Sequence, residues 1–221
     1  LKEQWCIPAV GSEFVWRMEE VLDLYAEPYD PNYPQVCFDE RPVQLLGDTY
    51  TPIPIQTGQV RRYDYHYERE GTANLFMMVQ PLGGWRMVKT TSRRTKVDFA
   101  HCMQELVDVH FPDARVIRVV LDNLNTHNPS SLYEAFEPAE ARRILRKLDF
   151  HYTPKHGSWL NMAEIEISVL SRQCLQQRLP SLSELETQVT AWTSRRNEQA
   201  VKINWCFNLD NARTKLARLY P

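Results

Sequence analysis

The spacing of apolar and polar positions divides the chain into a leading helix, a strand-rich middle and a helical close. In "GSEFVWRMEEVLDLYAEPYDP", Phe14, Met18, Val21, Leu22 and Tyr25 recur at helical spacing; Ser12 is the expected N-cap, and Pro28, Pro31 and Pro34 end the run. From Gln35 the pattern turns extended. "QVCFDE", "GTANLFMMVQP" and "GWRMVKTT" read as strands, the last two joined as a hairpin across Pro81 and the Gly83-Gly84 pair. Thr95 and Asp98 form an expected capping box, and Val97, Ala100, Val107 and Phe111 keep a helical period over residues 96–111. "ARVIRVVLD" is again a strand, "EPAEARRILRKL" a short basic helix, and "DFHYTP" a brief strand. Two helices close the chain. One starts near Ser158 and runs through "WLNMAEIEISVLSRQCLQQ"; the other follows a Ser181–Glu184 capping box, with Leu182, Leu185, Val189 and Trp192 on one face.

The order β-β-β-α-β-α-β-α-α predicts an α/β fold: a mixed five-stranded sheet with helices on both faces. Residues 1–34 read as an N-terminal linker with one helix, and residues 35–221 as the main domain.

Composition narrows the class. Apolar content of 43% and charged content of 24% are ordinary for a globular domain, and no apolar run approaches membrane-spanning length. The five cysteines are scattered without a C-x-x-C pair, which fits a reduced, cytosolic chain better than a disulfide framework or a zinc site. Net charge is only −2, but it is unevenly placed. Residues 141–221 carry 13 Lys/Arg against 7 Asp/Glu, whereas residues 1–140 carry 13 against 21. A basic face on the C-terminal part suits a polyanion, although solvated helix faces explain the charge equally well.

Two of the apolar strands run into an acid: "QVCFDER" into Asp39 and "VIRVVLDNLNTHN" into Asp122. Functional groups in open α/β sheets gather outside the C-terminal strand ends. If the first and fourth strands are neighbours, these carboxylates approach a shared cation, and hard oxygen ligands favour Mg²⁺ or Mn²⁺. A third ligand is sought in "WLNMAEIEI". At 100° per residue, Leu160, Ile167, Leu170 and Cys174 mark an inner stripe with Glu164 at its edge, so Glu164 is expected to reach the sheet and Glu166 to face solvent.

"FDE" at 38–40, "LDNLNTH" at 121–127 and "HGSWLNMAEIE" at 156–166 resemble the three signatures of DDE transposases, in particular bacterial insertion-sequence members of the mariner superfamily. The resemblance covers roughly residues 35–215. The chain departs from it in having Met162-Ala163 where many relatives have Pro-Ile, and in a longer Asp122-to-Glu164 gap, 42 positions, filled by the basic segment around 130–148. The resemblance implies an RNase H-like catalytic domain in which Asp39, Asp122 and Glu164 hold two Mg²⁺ or Mn²⁺ ions, with Asn123, His127 and Asn161 in support. It further implies cut-and-paste transposition: cleavage of transposon terminal inverted repeats, strand transfer into target DNA, and a homodimer on paired ends in the bacterial cytoplasm, at the nucleoid. In relatives the ends are read by an N-terminal DNA-binding region, which this chain is expected to lack. An acid cluster alone also fits an RNase H-like nuclease without strand transfer, or a catalytically silent DNA-binding derivative.

Lys155, His156 and Ser158 precede the Glu164 helix and are candidates for a DNA phosphate at a helix N-terminus, with a plain N-cap an equal reading of Ser158. Arg142 and Arg143 are candidate phosphate contacts, as are the pairs at 61–62, 93–94 and 195–196. His127 is expected in a partly exposed loop. Trp159 either stacks on a DNA base or packs against the sheet, with packing the favoured reading, and Trp192, Trp205 and Phe207 are read as core.

Overall fold

The computed structural model describes residues 11–50, 57–58 and 65–220. The first helix, α1, spans Ser12–Ala26. The strands β1 (Gln35–Asp48), β2 (Tyr67–Gln80) and β3 (Trp85–Thr91) follow. Helix α2 (Lys96–Glu105) runs into a single π-turn at Leu106–His110 before β4 (Ile117–Leu121). Two short helices, α3 (Ser130–Ala135) and α4 (Pro138–Leu145), lead to β5 (Leu148–Tyr152). The chain closes with α5 (Met162–Gln173), α6 (Leu182–Glu198) and α7 (Leu209–Lys215).

The strands form one five-stranded sheet in the order β3-β2-β1-β4-β5. β1 pairs antiparallel with β2, and β2 with β3; β1 pairs parallel with β4, and β4 with β5. The sheet is thus mixed, with β1 at its centre.

Strand alternation sends successive residues to opposite faces, and each face has its own core. On one, Cys37, Leu75, Met77, Val79 and Val120 pack against α1, α5, α6 and α7 through Met18, Leu22, Leu170, Leu185, Trp192 and Ala212. On the other, Phe38, Phe76, Met78, Val119 and Leu121 meet Phe99, Met103, Leu132 and Ile144 of α2, α3 and α4. Helices cover both faces, as the element order predicts. The helix within residues 1–34 is part of this packing, and Tyr25 Oη donates to Leu160 O at 2.8 Å, bracing the turn before α5.

Several boundaries differ from the sequence reading. β1 does not stop near Asp39 but continues to Asp48, because β2 keeps pairing with it after β4 has ended. Pro42 is tolerated there since β1 has become an edge on its β4 side. Ser12 is the first helical residue rather than the cap; Gly11 holds the cap position without a side-chain bond. Ser158 does not start the long helix. It opens a 3₁₀ turn, Ser158–Leu160, and Asn161 caps α5. α3 and α7 were not foreseen. The capping box at Thr95 and Asp98 is present in both halves, and Ser181 accepts from the Glu184 amide. At the β2–β3 turn Gly84 has φ +70°, and a Cβ there would lie 2.5 Å from the Ala200 carbonyl oxygen, so glycine is required on both counts.

All four described cysteines are free, with Cys37, Cys102 and Cys174 buried. Among the described residues no helix is long and apolar enough to cross a membrane. Arg61 and Arg62 lie outside the described residues.

Candidate active site

The parallel ladder places the two aspartates. Val36 pairs with Val119 and Cys37 with Val120; the same register carried two positions further sets Asp39 beside Asp122. Both share the parity of Cys37 and Val120, so both project to the face covered by α5. Asp122 follows the last residue of β4, as expected of a strand end. Asp39 instead sits within β1, at the point where its parallel partner runs out.

Glu164 arrives from α5. Asn161 Oδ1 accepts from the Ala163 amide at 3.1 Å, capping the helix, while its Nδ2 donates to Phe38 O at 2.8 Å. One buried amide therefore fastens the N-terminus of the Glu164 helix to the strand residue just before Asp39. Glu164, in the first turn, is exposed and lines a groove of about 400 Å³ with Asp39 and Glu40. Asn161→Ala is expected to destabilise the fold by about 2–3 kcal/mol, by loss of the cap and of the side-chain donor to the Phe38 carbonyl. Asn161→Asp keeps the cap but sets a carboxylate against Phe38 O, and should remain destabilised. Guanidinium unfolding of both variants checks this.

Glu166 corrects the sequence reading. It does not face solvent but is 1% exposed, with Oε1 3.0 Å from Arg86 Nε and 2.5 Å from Arg196 Nε. Arg86, itself 1% exposed in β3, also donates to the carbonyls of Gly84, Arg196 and Val201. Glu166 belongs to the buried stripe of α5 with Ala163, Ile167 and Leu170, and the buried cations that receive it were not foreseen.

Behind Asp122 lies a charged chain on the other face of β1. His127 Nδ1 is 2.6 Å from Asp122 Oδ1 and its Nε2 is 2.7 Å from Glu40 Oε2, while Arg94 reaches Glu40 at 3.2 Å. His127 is 1% exposed, against the expected half-open loop, because its ring packs between Phe38 and Phe99, with centroids 5.1 Å away from each. Burial works against the imidazolium, but the hydrogen bonds to Asp122 and Glu40 outweigh it and raise His127 to about 9. Burial would likewise raise Asp122, yet the His127 bond and charge, the Leu124 amide and Arg94 bring it below the usual carboxylate range. Asp39 makes no ion pair among the described residues. Burial, and then the charges of Glu40, Asp122 and Glu164, raise it to about 7 against the opposing Glu40 amide. Asp39 thus lies close enough to both Asp122 and Glu164 to feel their charges.

The family model described as DDE superfamily endonuclease matches residues 34–186, which include all three acids. The chain belongs to this superfamily.

No curated protein matches it. Among solved structures, the DDE fold here is similar to the Mos1 mariner paired-end complex with Mn, with TM-score 0.55 and 12% identity over 90% of this chain and 60% of that one. It is also similar to the Mos1 strand transfer complex, with TM-score 0.53 and 13% identity over 88% of this chain and 58% of that one. The chain spans about three fifths of the length of these Mos1 chains. The architecture is RNase H-like, as the sequence resemblance implies.

Other candidate residues of this DDE domain divide by position. Lys155, His156 and Ser158 are exposed in the segment after β5, at the same strand-end edge as Asp122. Trp159 is 42% exposed and meets Phe207 edge-to-face at 5.5 Å. Asn123 turns away from the acids and donates to Thr153 O, tying the loop after β4 to the end of β5. Arg142 and Arg143 lie in the last turn of α4, which runs into the start of β5 at the opposite end of the parallel strands. Arg143 is engaged with Asp108 and Glu140, both at 2.7 Å. The structure does not bring these two arginines to the acids.

Among the described residues no three His, Cys, Asp or Glu side chains meet in ligating geometry. Asp122 Oδ1 is bound by His127 and the Leu124 amide, and an Asp39 oxygen by the Glu40 amide. The donor set nonetheless suits a hard divalent cation: the three acids offer carboxylate oxygens, and a cation would offset the burial and the neighbouring charges that raise Asp39. Glu40, Arg41 and Arg172 escaped the sequence reading as site residues, and Arg94, a candidate phosphate contact there, is instead paired with Glu40. Strand alternation would have put Glu40 opposite Asp39 and Arg41 beside it, while the Arg94–Glu40 pair is recognisable only in three dimensions.

Proposed function

We propose that this chain is the catalytic domain of a cut-and-paste DNA transposase that cleaves transposon terminal inverted repeats and joins them to target DNA. Asp39, Asp122 and Glu164 would hold Mg²⁺ or Mn²⁺, two ions in the active complex, after Asp39 and Glu164 turn on their fixed backbones toward Asp122. The single observation that carries the reading is that Asp39 and Asp122 are adjacent on one face, where the β1–β4 ladder ends, with Glu164 on a helix fastened to that strand. Bound there, the metal supplies Lewis-acid activation of an attacking water or 3′-hydroxyl and neutralises charge at the leaving oxygen.

The protein's own groups do the positioning. His127 holds Oδ1 of Asp122 and leaves its other carboxylate oxygen outside that bond, while Glu40 and Arg94 fix the imidazole from behind. The rim at Lys155, His156 and Ser158, which is exposed, would meet the DNA backbone. Pairing of two ends implies a homodimer, working in the compartment that holds the element's DNA, the cytoplasm of a bacterium.

The test is metal-dependent nicking of supercoiled plasmid, followed by joining of a 3′-hydroxyl oligonucleotide to the same plasmid. Nicking in Mg²⁺ or Mn²⁺ that stops with EDTA, together with a joined product, is the expected result. Nicking without joining would point to a hydrolytic RNase H-like nuclease. Neither activity, at any metal concentration, would remove the assignment.

A further inference from the structure

The groove that carries the acids continues past them and changes sign. Its walls are β1 and α5, and beyond Asp39 and Glu164 it is lined by Arg41, Ser168, Ser171 and Arg172. On β1, Arg41 has the parity of Asp39 and lies two residues on, roughly 7 Å along the strand. On α5, Ser168 and Ser171 lie one and two turns beyond Glu164 on the same side, and Arg172 follows roughly 12 Å along the axis from Glu164. The two walls are in step: Arg41 donates to Ser171 Oγ, just as Asp39 and Glu164 face each other a turn or two earlier.

How these arginines are held matters as much as where they are. Arg94, Arg143, Arg178 and Arg213 are each paired with a carboxylate. Arg41 and Arg172 make no ion pair among the described residues. Their guanidinium groups are steadied by neutral hydroxyls instead: Arg41 by Ser171, and Arg172 by Ser168 at 2.8 Å. A serine orients the planar fork without cancelling its charge, and that fork matches two phosphate oxygens. A solvated surface explains one such arginine. It does not explain two, from separate elements, converging on the groove that leaves the acids.

We propose that Arg41 and Arg172 form a phosphate subsite for a DNA strand whose scissile bond lies at Asp39, Asp122 and Glu164. The inference rests on the nuclease reading above and adds to it the track of that strand: between β1 and α5, from the acids toward the arginines.

The test uses fluorescence anisotropy of a labelled duplex of arbitrary sequence, in Ca²⁺, across a salt series. The chain is compared with Arg41→Gln/Arg172→Gln, which keeps the stems and polar heads but removes both charges. Each lost phosphate contact lowers the slope of log affinity against log salt by about 0.9. The double variant should therefore lose about tenfold less affinity than the unmodified chain between about 50 and about 200 mM salt. Arg146→Gln, exposed at the end of α4 on the other face of the sheet, should keep the original slope. Circular dichroism establishes folding, and the single variants carry the comparison if the double variant does not fold. An unchanged slope in folded variants, or one lowered equally by Arg146→Gln, overturns the subsite while plasmid nicking still supports the nuclease reading. Absence of both DNA binding and nicking in the unmodified chain overturns the two together.

Discussion

Asp122→Asn should leave the far-UV circular dichroism of the chain unchanged and reduce Mn²⁺-dependent plasmid nicking by about 10³-fold. The amide is nearly isosteric, and its oxygen can still accept from the Leu124 amide and from His127 Nδ1, which lie 3.1 and 2.6 Å from Asp122 Oδ1. What it removes is the charge that, on the proposed reading, would hold the metal. Losing several kcal/mol of transition-state charge stabilisation, here taken as roughly 4 kcal/mol, gives the thousandfold decrease. Asp39→Asn should act alike, whereas Asn123→Ala, whose side chain points to Thr153, should reduce nicking far less. An Asp122→Asn protein that nicks at the original rate would remove Asp122 from the metal site.

The second large effect concerns stability. Glu166→Ala is expected to lower the free energy of unfolding by about 3–5 kcal/mol, because it leaves the buried Arg86 without its carboxylate. For a chain of this size that is a fall of roughly 10 °C in melting temperature. Arg86→Met should cost at least as much, since its guanidinium also serves the carbonyls of Gly84, Arg196 and Val201. Glu166→Gln, which retains hydrogen-bonding oxygen but not charge, should fall between the original chain and Glu166→Ala. Guanidinium denaturation with a common m-value provides the measurement. A loss below about 1 kcal/mol in Glu166→Ala would mean that the triad contributes little to stability.

What the sequence made legible follows from how local each signal is. The β2–β3 hairpin, the capping box at Thr95 and the apolar face of α6 are written in residues close together, and the structure has them where the spacing puts them. The adjacency of Asp39 and Asp122 was legible only as a condition, that β1 and β4 be neighbours; the parallel ladder meets it. Non-local facts stayed hidden. β1 runs on past Asp39 because of residues 67–75 of β2, more than twenty positions downstream. Glu166 is buried because Arg86, eighty positions earlier, is there to receive it. His127 was placed in an open loop because nothing nearby in sequence announces Phe38 and Phe99 as its walls. Ser158 lost the cap to Asn161, whose amide both caps and donates to Phe38, something a hydroxyl at 158 has no geometry to do.

The alternation of β1 makes one strand answer to two masters: odd positions 37, 39 and 41 look toward α5, while 38 and 40 look toward His127. Substituting any one of them changes a single group, but inserting a residue between Cys37 and Asp39 would transpose everything after it. Aspartate would then turn to the imidazole and the arginine into the opposite core. The irregularity that the strand does contain, between Leu45 and Leu46, falls beyond this stretch. A substitution in this stretch is therefore felt at one position, and a change in residue number at every position that follows.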